Sequence, residues 1–119
     1  MIKLGGVSLK KQSLPPSTPA ASLALVPSAF QLYPNFPNPF NPETQIRFDL
    51  PEAAQVDLRI YNALGQLVRT LVDRSYSAGT FTVFWDSRDD EGKPLPSGIY
   101  FYKIKAGNFQ AQRKLLLLK

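Results

Sequence analysis

The sequence predicts an all-β fold in which two antiparallel sheets pack face to face. Three observations carry the expectation. From Thr44 onward apolar residues recur with a period of two, turn residues break that alternation roughly every ten positions, and no stretch keeps a 3.6-residue apolar stripe over helical length. The pattern occupies residues 30–119, the size of a small β-sandwich. Of the 119 residues, 44% are hydrophobic and 12% aromatic, enough to build a core there.

Residues 1–29 read differently. Eight of the 11 prolines lie at or before Pro42, whereas every aromatic residue lies at or after Phe30. Ser13-Leu14-Pro15-Pro16-Ser17-Thr18-Pro19-Ala20-Ala21 has the composition of an extended linker, with too little bulky apolar surface to offset ordering its backbone. A domain boundary is therefore expected near residue 29, with a flexible Pro/Ser/Ala-rich linker over 1–29 joining the domain to something upstream. Gly5, Gly6 and Ser8 interrupt the apolar run that a secretory signal needs in residues 1–11. The sequence is accordingly expected to be a piece of a longer protein or to be truncated at its start. No stretch is long and apolar enough for a membrane-spanning helix.

Six strands follow. In residues 44–50, Ile46, Phe48 and Leu50 share one face and Gln45, Arg47 and Asp49 the other, and Pro51 ends the run. Residues 55–61 repeat the alternation with Val56, Leu58 and Ile60, and Asn62-Ala63-Leu64-Gly65 supplies a turn. Residues 66–72 are a weaker strand, because Leu67, Val68, Leu71 and Val72 would also suit a short helix. Ser77-Ala78-Gly79 turns into 80–86, a β-branched and aromatic run that holds the only tryptophan, Trp85. A polar loop over 87–97 leads to the Tyr- and Ile-rich strand 98–106. Gly107-Asn108 makes a tight hairpin turn, and 109–118 returns as the last strand. With the lead-in this makes about seven strands, an immunoglobulin-like sandwich. Trp85, Ile46/Phe48, Val56/Leu58/Ile60 and Tyr100/Tyr102/Ile104 are expected to meet in its core. A small closed barrel is the structural alternative.

The zero counts of His and Cys bear on chemistry. They remove the imidazole base, the thiolate nucleophile, every Cys/His zinc site and disulfides. Asp49, Glu52, Asp57 and Asp73 fall on polar strand faces or strand ends, where carboxylates are ordinarily solvated. No serine or threonine has an evident activating base, and the glycines sit singly at turns without a phosphate-cradling cluster. The reading is a non-enzymatic domain without a cofactor. The net charge of +5 includes Lys3, Lys10 and Lys11 of the linker, and the remaining basic residues are interleaved with acids, so no nucleic-acid face is expected.

The best metal candidate is a weak one, the loop Asp86-Ser87-Arg88-Asp89-Asp90-Glu91-Gly92, where Asp86, Asp89 and Asp90 could offer oxygens to calcium. The same residues also make an ordinary turn, and Arg88 sits among them. Two segments depart from what a plain sandwich requires. Tyr33-Pro34-Asn35-Phe36-Pro37-Asn38-Pro39-Phe40-Asn41-Pro42 cannot be a central strand, and its Phe36 and Phe40 are expected to plug the core edge as a rigid lid. Leu115-Leu116-Leu117-Leu118 lacks alternation, so Leu116 and Leu118 should face outward, either covered by another element or forming a recognition surface.

These segments carry a resemblance. Phe30-Gln31-Leu32, Asn35-Phe36-Pro37-Asn38-Pro39-Phe40-Asn41-Pro42 and Thr44-Gln45-Ile46-Arg47-Phe48 resemble the F-x-L-x-x-N-Y-P-N-P-F-N-P-x-T-x-I-x-F opening of C-terminal sorting domains of the type IX secretion system. The resemblance continues through residues 56–65, Trp85-Asp86, Leu95-Pro96-Ser97-Gly98-Ile99-Tyr100-Phe101-Tyr102-Lys103-Ile104 and residues 114–119. It covers residues 30–119, with Pro34 where the family often has Gln and Phe36 in place of Tyr. It implies an immunoglobulin-like domain at the end of a secreted cargo from a Gram-negative bacterium. Such a domain is recognised by the outer-membrane translocon after passage through the periplasm, and is often removed by a sortase-like peptidase at the cell surface. By resemblance, recognition would fall to Leu95, Gly98, Tyr100 and Ile104 and to the end of the chain, Lys114, Leu116, Leu118 and Lys119. Residue patterning by itself assigns Gly98, Tyr100 and Ile104 turn and core roles instead. Similar domains occur in the flagellar hook-capping protein, which makes a structural assembly domain the rival reading. A carbohydrate-binding module is a third, and would need Phe84 and Phe101 as exposed coplanar aromatics.

Overall fold

The computed structural model describes residues 26–119, so the linker expected over 1–29 lies, except for its last four residues, outside the described residues. Seven strands follow: β1 (Gln31–Leu32), β2 (Thr44–Leu50), β3 (Ala54–Asn62), β4 (Leu67–Tyr76), β5 (Gly79–Trp85), β6 (Gly98–Ala106) and β7 (Phe109–Leu117). They form a three-stranded sheet in the order β1-β2-β5 and a four-stranded sheet in the order β4-β3-β6-β7. Every paired strand is antiparallel. The expected immunoglobulin-like sandwich is what the chain forms.

Alternation decides which side chains meet between the sheets. Ile46, Phe48 and Leu50 of β2, Val56, Leu58 and Ile60 of β3 and Tyr100, Tyr102 and Ile104 of β6 are all buried, with Trp85 fully enclosed among them. The Trp85 ring lies 5.6 Å from Phe40 and 5.6 Å from Tyr100, and its Nε1 donates to the Arg88 carbonyl at 2.9 Å. Burial raises the pKa of Tyr102 to about 12, and its hydroxyl donates to the Tyr33 carbonyl at 2.6 Å, fastening the four-stranded sheet to the lead-in.

β4 resolves the helix-or-strand ambiguity of its sequence. Its register against β3 slips twice, leaving Leu71 and then Val68 without a partner. Each bulge puts two successive residues against one and breaks the period of two. Leu71, Val72 and Val68 can therefore all pack toward the core from a strand, although their spacing suits a helix. β4 also runs on through Asp73, Arg74 and Ser75, which have no apolar pattern but pair with Asp57, Val56 and Gln55. The hairpin between β6 and β7 turns on two residues, with Gly107 at φ +58°, the positive dihedral that a two-residue loop demands.

The proline-rich segment spans from β1 to β2. Asn35 Nδ2 donates to Thr44 Oγ1 at 3.0 Å and to the Pro37 carbonyl at 3.2 Å, while Thr44 Oγ1 donates to the same carbonyl at 2.8 Å. Of the two phenylalanines expected to plug the core, Phe40 does so and Phe36 does not. Phe40 is 2% exposed and Phe36 is 74% exposed. The reason is register. Phe36 bridges Gln45, whose side chain lies on the outward face of β2, and partners directly opposite in an antiparallel pair share a face. Phe40 bridges Leu117, which points into the core.

Candidate functional site

The C-terminal leucine run divides as its alternation demands. Leu115 and Leu117 are fully buried, Leu116 is half-buried and Leu118 is 50% exposed. The lid straps the backbone here. Phe40 N–H donates to the Leu116 carbonyl and Leu118 N–H to the Phe40 carbonyl, both at 3.0 Å, and Leu116 N–H donates to Asn38 Oδ1 at 3.0 Å. Lys119 N–H reaches Ser97 Oγ at 2.9 Å, tying the end of the chain to the turn before β6. The backbone of the run is thus covered by the lid, while the Leu118 side chain stays open to water.

Register extends this surface across the outer face of the four-stranded sheet. Ile99 lies opposite Leu116 and Phe101 opposite both Lys114 and Tyr61; Arg59 lies opposite Lys103, and Asp57 opposite Lys105. The face is apolar at the end where Ile99, Leu116 and Leu118 gather and becomes basic through Lys114, Lys103 and Lys105. Arg59 is occupied by Asp57, at 2.7 Å. A groove of about 330 Å³ opens at the apolar end, lined by Asn38, Pro39, Ile99, Lys114, Leu115 and Leu116.

The structure sorts the residues expected to carry recognition. Lys114, Leu116, Leu118 and Lys119 lie together at or near the surface. Leu95 is half-buried against the core, and Gly98 opens β6 opposite Leu117. Tyr100 is 4% exposed and donates its hydroxyl to the Pro96 carbonyl at 2.7 Å; burial raises its pKa. Leu95, Gly98 and Tyr100 therefore support the turn on which Lys119 rests. Ile104 stands apart, 1% exposed between Leu58 and Ala111. Sequence reasoning missed Ile99, 44% exposed beside Leu116. The signal was present, since Tyr100, Tyr102 and Ile104 facing inward leaves Ile99 facing out.

The acidic loop uses its carboxylates on itself and on β4. Asp89 Oδ1 accepts from the N–H groups of Glu91 and Lys93, both at 2.9 Å. Asp86 Oδ1 accepts from Arg88 N–H at 3.1 Å and from Arg69 Nη1 at 3.2 Å, and Asp90 Oδ1 accepts from Thr70 N–H at 3.0 Å. Arg69 also donates to the Arg88 carbonyl at 3.0 Å. Among the described residues no three acids converge as a metal site. Phe84 and Phe101 lie on the outer faces of opposite sheets and cannot form one platform for a sugar.

Solved structures of similar shape include proteins from two settings. Dimeric latent PorU from Porphyromonas gingivalis superposes with a TM-score of 0.61 at 18% identity, covering 76% of this chain and 10% of PorU. PorZ, an essential surface component of the type IX secretion system of the same organism, gives 0.50 at 16% identity over 76% of this chain and 12% of PorZ. FlgD from Xanthomonas campestris, a hook-capping protein essential for flagellar assembly, gives 0.53 at 23% identity over 82% of this chain and 72% of FlgD. At these identities the likeness is one of fold, and the chain spans only about a tenth of PorU and PorZ. No curated protein matches it. The family model of the FlgD Ig-like domain, however, matches residues 38–109, from the lid to the β6–β7 hairpin and more than half of the chain, and by that match the chain belongs to the FlgD Ig-like domain family.

Proposed function

We propose that this domain is a non-catalytic C-terminal sorting module that directs an upstream cargo through the type IX outer-membrane translocon to the cell surface. The observation that carries the reading is the surface at the end of the chain. Ile99 on β6 and Leu118 just past β7 are 44% and 50% exposed near Lys114, where the lid already covers the backbone at the end of β7. Exposed leucine and isoleucine gathered at one end of a small domain and rimmed by lysine make a compact recognition patch. Three of the segments that resemble type IX sorting domains border this patch: the lid, the turn before β6 and the terminal strand. The translocon would read Lys114, Leu116, Leu118 and Lys119 directly, with Leu95, Gly98 and Tyr100 holding the turn, and Ile104 acting through the core. A sortase-like peptidase at the surface would then separate domain and cargo.

The test is export of a reporter fused between a signal peptide and residues 26–119 in a host with the type IX system. The expected result is reporter at the cell surface, lost when Leu116 and Leu118 are exchanged for Ser although the domain still folds cooperatively, with only a modest fall in Tm. Periplasmic retention of the folded wild-type fusion refutes the reading. The family match supports a second one, a structural domain of flagellar-cap type, since FlgD from Xanthomonas campestris aligns over 82% of this chain. That reading predicts co-sedimentation of the domain with assembled hook filaments and no reporter export.

A further inference from the structure

The sandwich protects three of its four sheet edges. β1 is only two residues long, and the lid continues its line with the Phe36–Gln45 bridge. β4 carries two bulges together with Arg69, Asp73 and Arg74. The end of β7 is strapped by Phe40. Bulges, charges, short strands and covering segments are the devices that keep edges from pairing. β5 has none of them. Gly79-Thr80-Phe81-Thr82-Val83-Phe84-Trp85 holds seven residues in unbroken register with β2, without a charge or a proline.

Which β5 groups face outward follows from β2. Gln45 exchanges backbone bonds with Phe36, at 2.8 and 3.0 Å, and the Arg47 carbonyl accepts from Tyr33 N–H at 3.0 Å. The odd-numbered residues of β2 thus point their backbone groups away from β5, and the even-numbered ones point toward it. In an antiparallel ladder residues alternate between the two neighbours. Ile46 and Phe48 therefore bond Val83 and Phe81, and the N–H and C=O groups of Thr80, Thr82 and Phe84 are left on the free side. Among the described residues, no hydrogen bond from another segment reaches those six groups.

The strand is also self-complementary. A two-fold axis through Thr82 sets Thr82 opposite Thr82, Thr80 opposite Phe84, and Phe81 opposite Val83. Each is a threonine pair or an aromatic with a β-branched residue, the pairings that stabilise neighbouring strands. The outward groups match as well, because the pairs at Thr82 and at Thr80–Phe84 are the hydrogen-bonded ones and satisfy all six outward donors and acceptors of each copy. We infer that β5 is a homodimerisation edge on which a second copy of this chain adds antiparallel about Thr82, joining the two three-stranded sheets into one of six strands. The contact is isologous and uses the one edge left open among the described residues, so it closes at two copies. It is independent of the sorting surface, which lies on the other sheet.

The chain contains no cysteine, which permits a direct test on the full 119-residue protein. Across the axis Thr82 meets its own copy about 5.5 Å away between Cα atoms, within disulfide reach. Thr80 lies about 14 Å from its copy, beyond it. Under mild oxidation Thr82→Cys should cross-link to a covalent dimer and Thr80→Cys should not. Sedimentation equilibrium should show a monomer–dimer equilibrium that Thr82→Lys weakens by about fivefold or more, since two like charges then face each other. The Thr82 side chain is exposed, so at concentrations where the protein is monomeric both Thr82 variants, the cysteine one reduced, should melt close to the wild type. A protein that stays monomeric at millimolar concentration, equal cross-linking at positions 80 and 82, or a dimer indifferent to Thr82→Lys would each overturn the inference.

Discussion

Replacing Trp85 by alanine removes the side chain on which both sheets and the lid converge. Trp85 is fully buried, with aromatic neighbours at 5.6 Å on two sides and its Nε1–H committed to the Arg88 carbonyl. Truncating a buried tryptophan costs about 3–5 kcal/mol in lost transfer energy and cavity. The two ring contacts contribute about 0.5–1.5 kcal/mol each beyond area, and the Arg88 carbonyl loses its donor, so the upper part of that range applies. Small domains hold about 5–15 kcal/mol in total. The expected fall in Tm is about 12–40 °C, enough to leave much of the protein unfolded at 37 °C. Trp85 is the only tryptophan, so the assay is far-ultraviolet circular dichroism or calorimetry rather than fluorescence. Trp85→Phe, which keeps most of the ring contact and loses the hydrogen bond, should cost about 1–3 kcal/mol. A cooperatively folding Trp85→Ala protein that melts within about 4 °C of the wild type would refute Trp85 as the joint between sheets and lid.

Leu115→Ser and Leu117→Ser should each destabilise by about 3–5 kcal/mol in urea unfolding, whereas Leu118→Ser should change stability by about 0.5 kcal/mol or less and half-buried Leu116→Ser by about 1 kcal/mol. Phe40→Ala should cost about 3–5 kcal/mol and free the end of β7 to exchange its amide protons, while Phe36→Ala should leave the melt within about 0.5 kcal/mol of wild type. Alkaline pH should destabilise the fold. The Tyr102 pKa is raised from 10.0 to about 12 by burial, so its contribution is complete below pH 10, where the unfolded phenol is still protonated, and is lost as pH climbs from 10 to 12. Tyr100 shifts the same way through burial, and Tyr33 through its hydrogen bond to Asp49. A pH series of melts should fall across that window, and more steeply for wild type than for Tyr102→Phe, although the variant starts lower for want of its bond to the Tyr33 carbonyl. Arg69→Ala should cost about 1 kcal/mol and loosen residues 86–93, seen as faster amide exchange at Glu91 and Lys93.

Alternation is a local property, and the features that rest on it were legible in the sequence. The strands over 44–50 and 98–106, the inward sets of β2, β3 and β6, the burial of Trp85 and the split of the leucine run all follow from a side-chain period of two with one face away from water. What depends on partners distant in sequence was not legible. Phe36 and Phe40 sit four residues apart in the same proline-rich motif, yet one bridges outward-facing Gln45 and the other inward-facing Leu117. The bulges of β4 exist only relative to β3, and they turn a helix-like spacing into a strand. The solvent-facing patch joins Ile99 to Leu116 and Leu118 because β6 and β7 pair in one particular register. That β5 is an open edge among the described residues is a fact of sheet order, which no residue of β5 encodes by itself. A strand carries the pattern of its own two faces, whereas its neighbours, and hence its free backbone groups, are chosen when the whole chain packs.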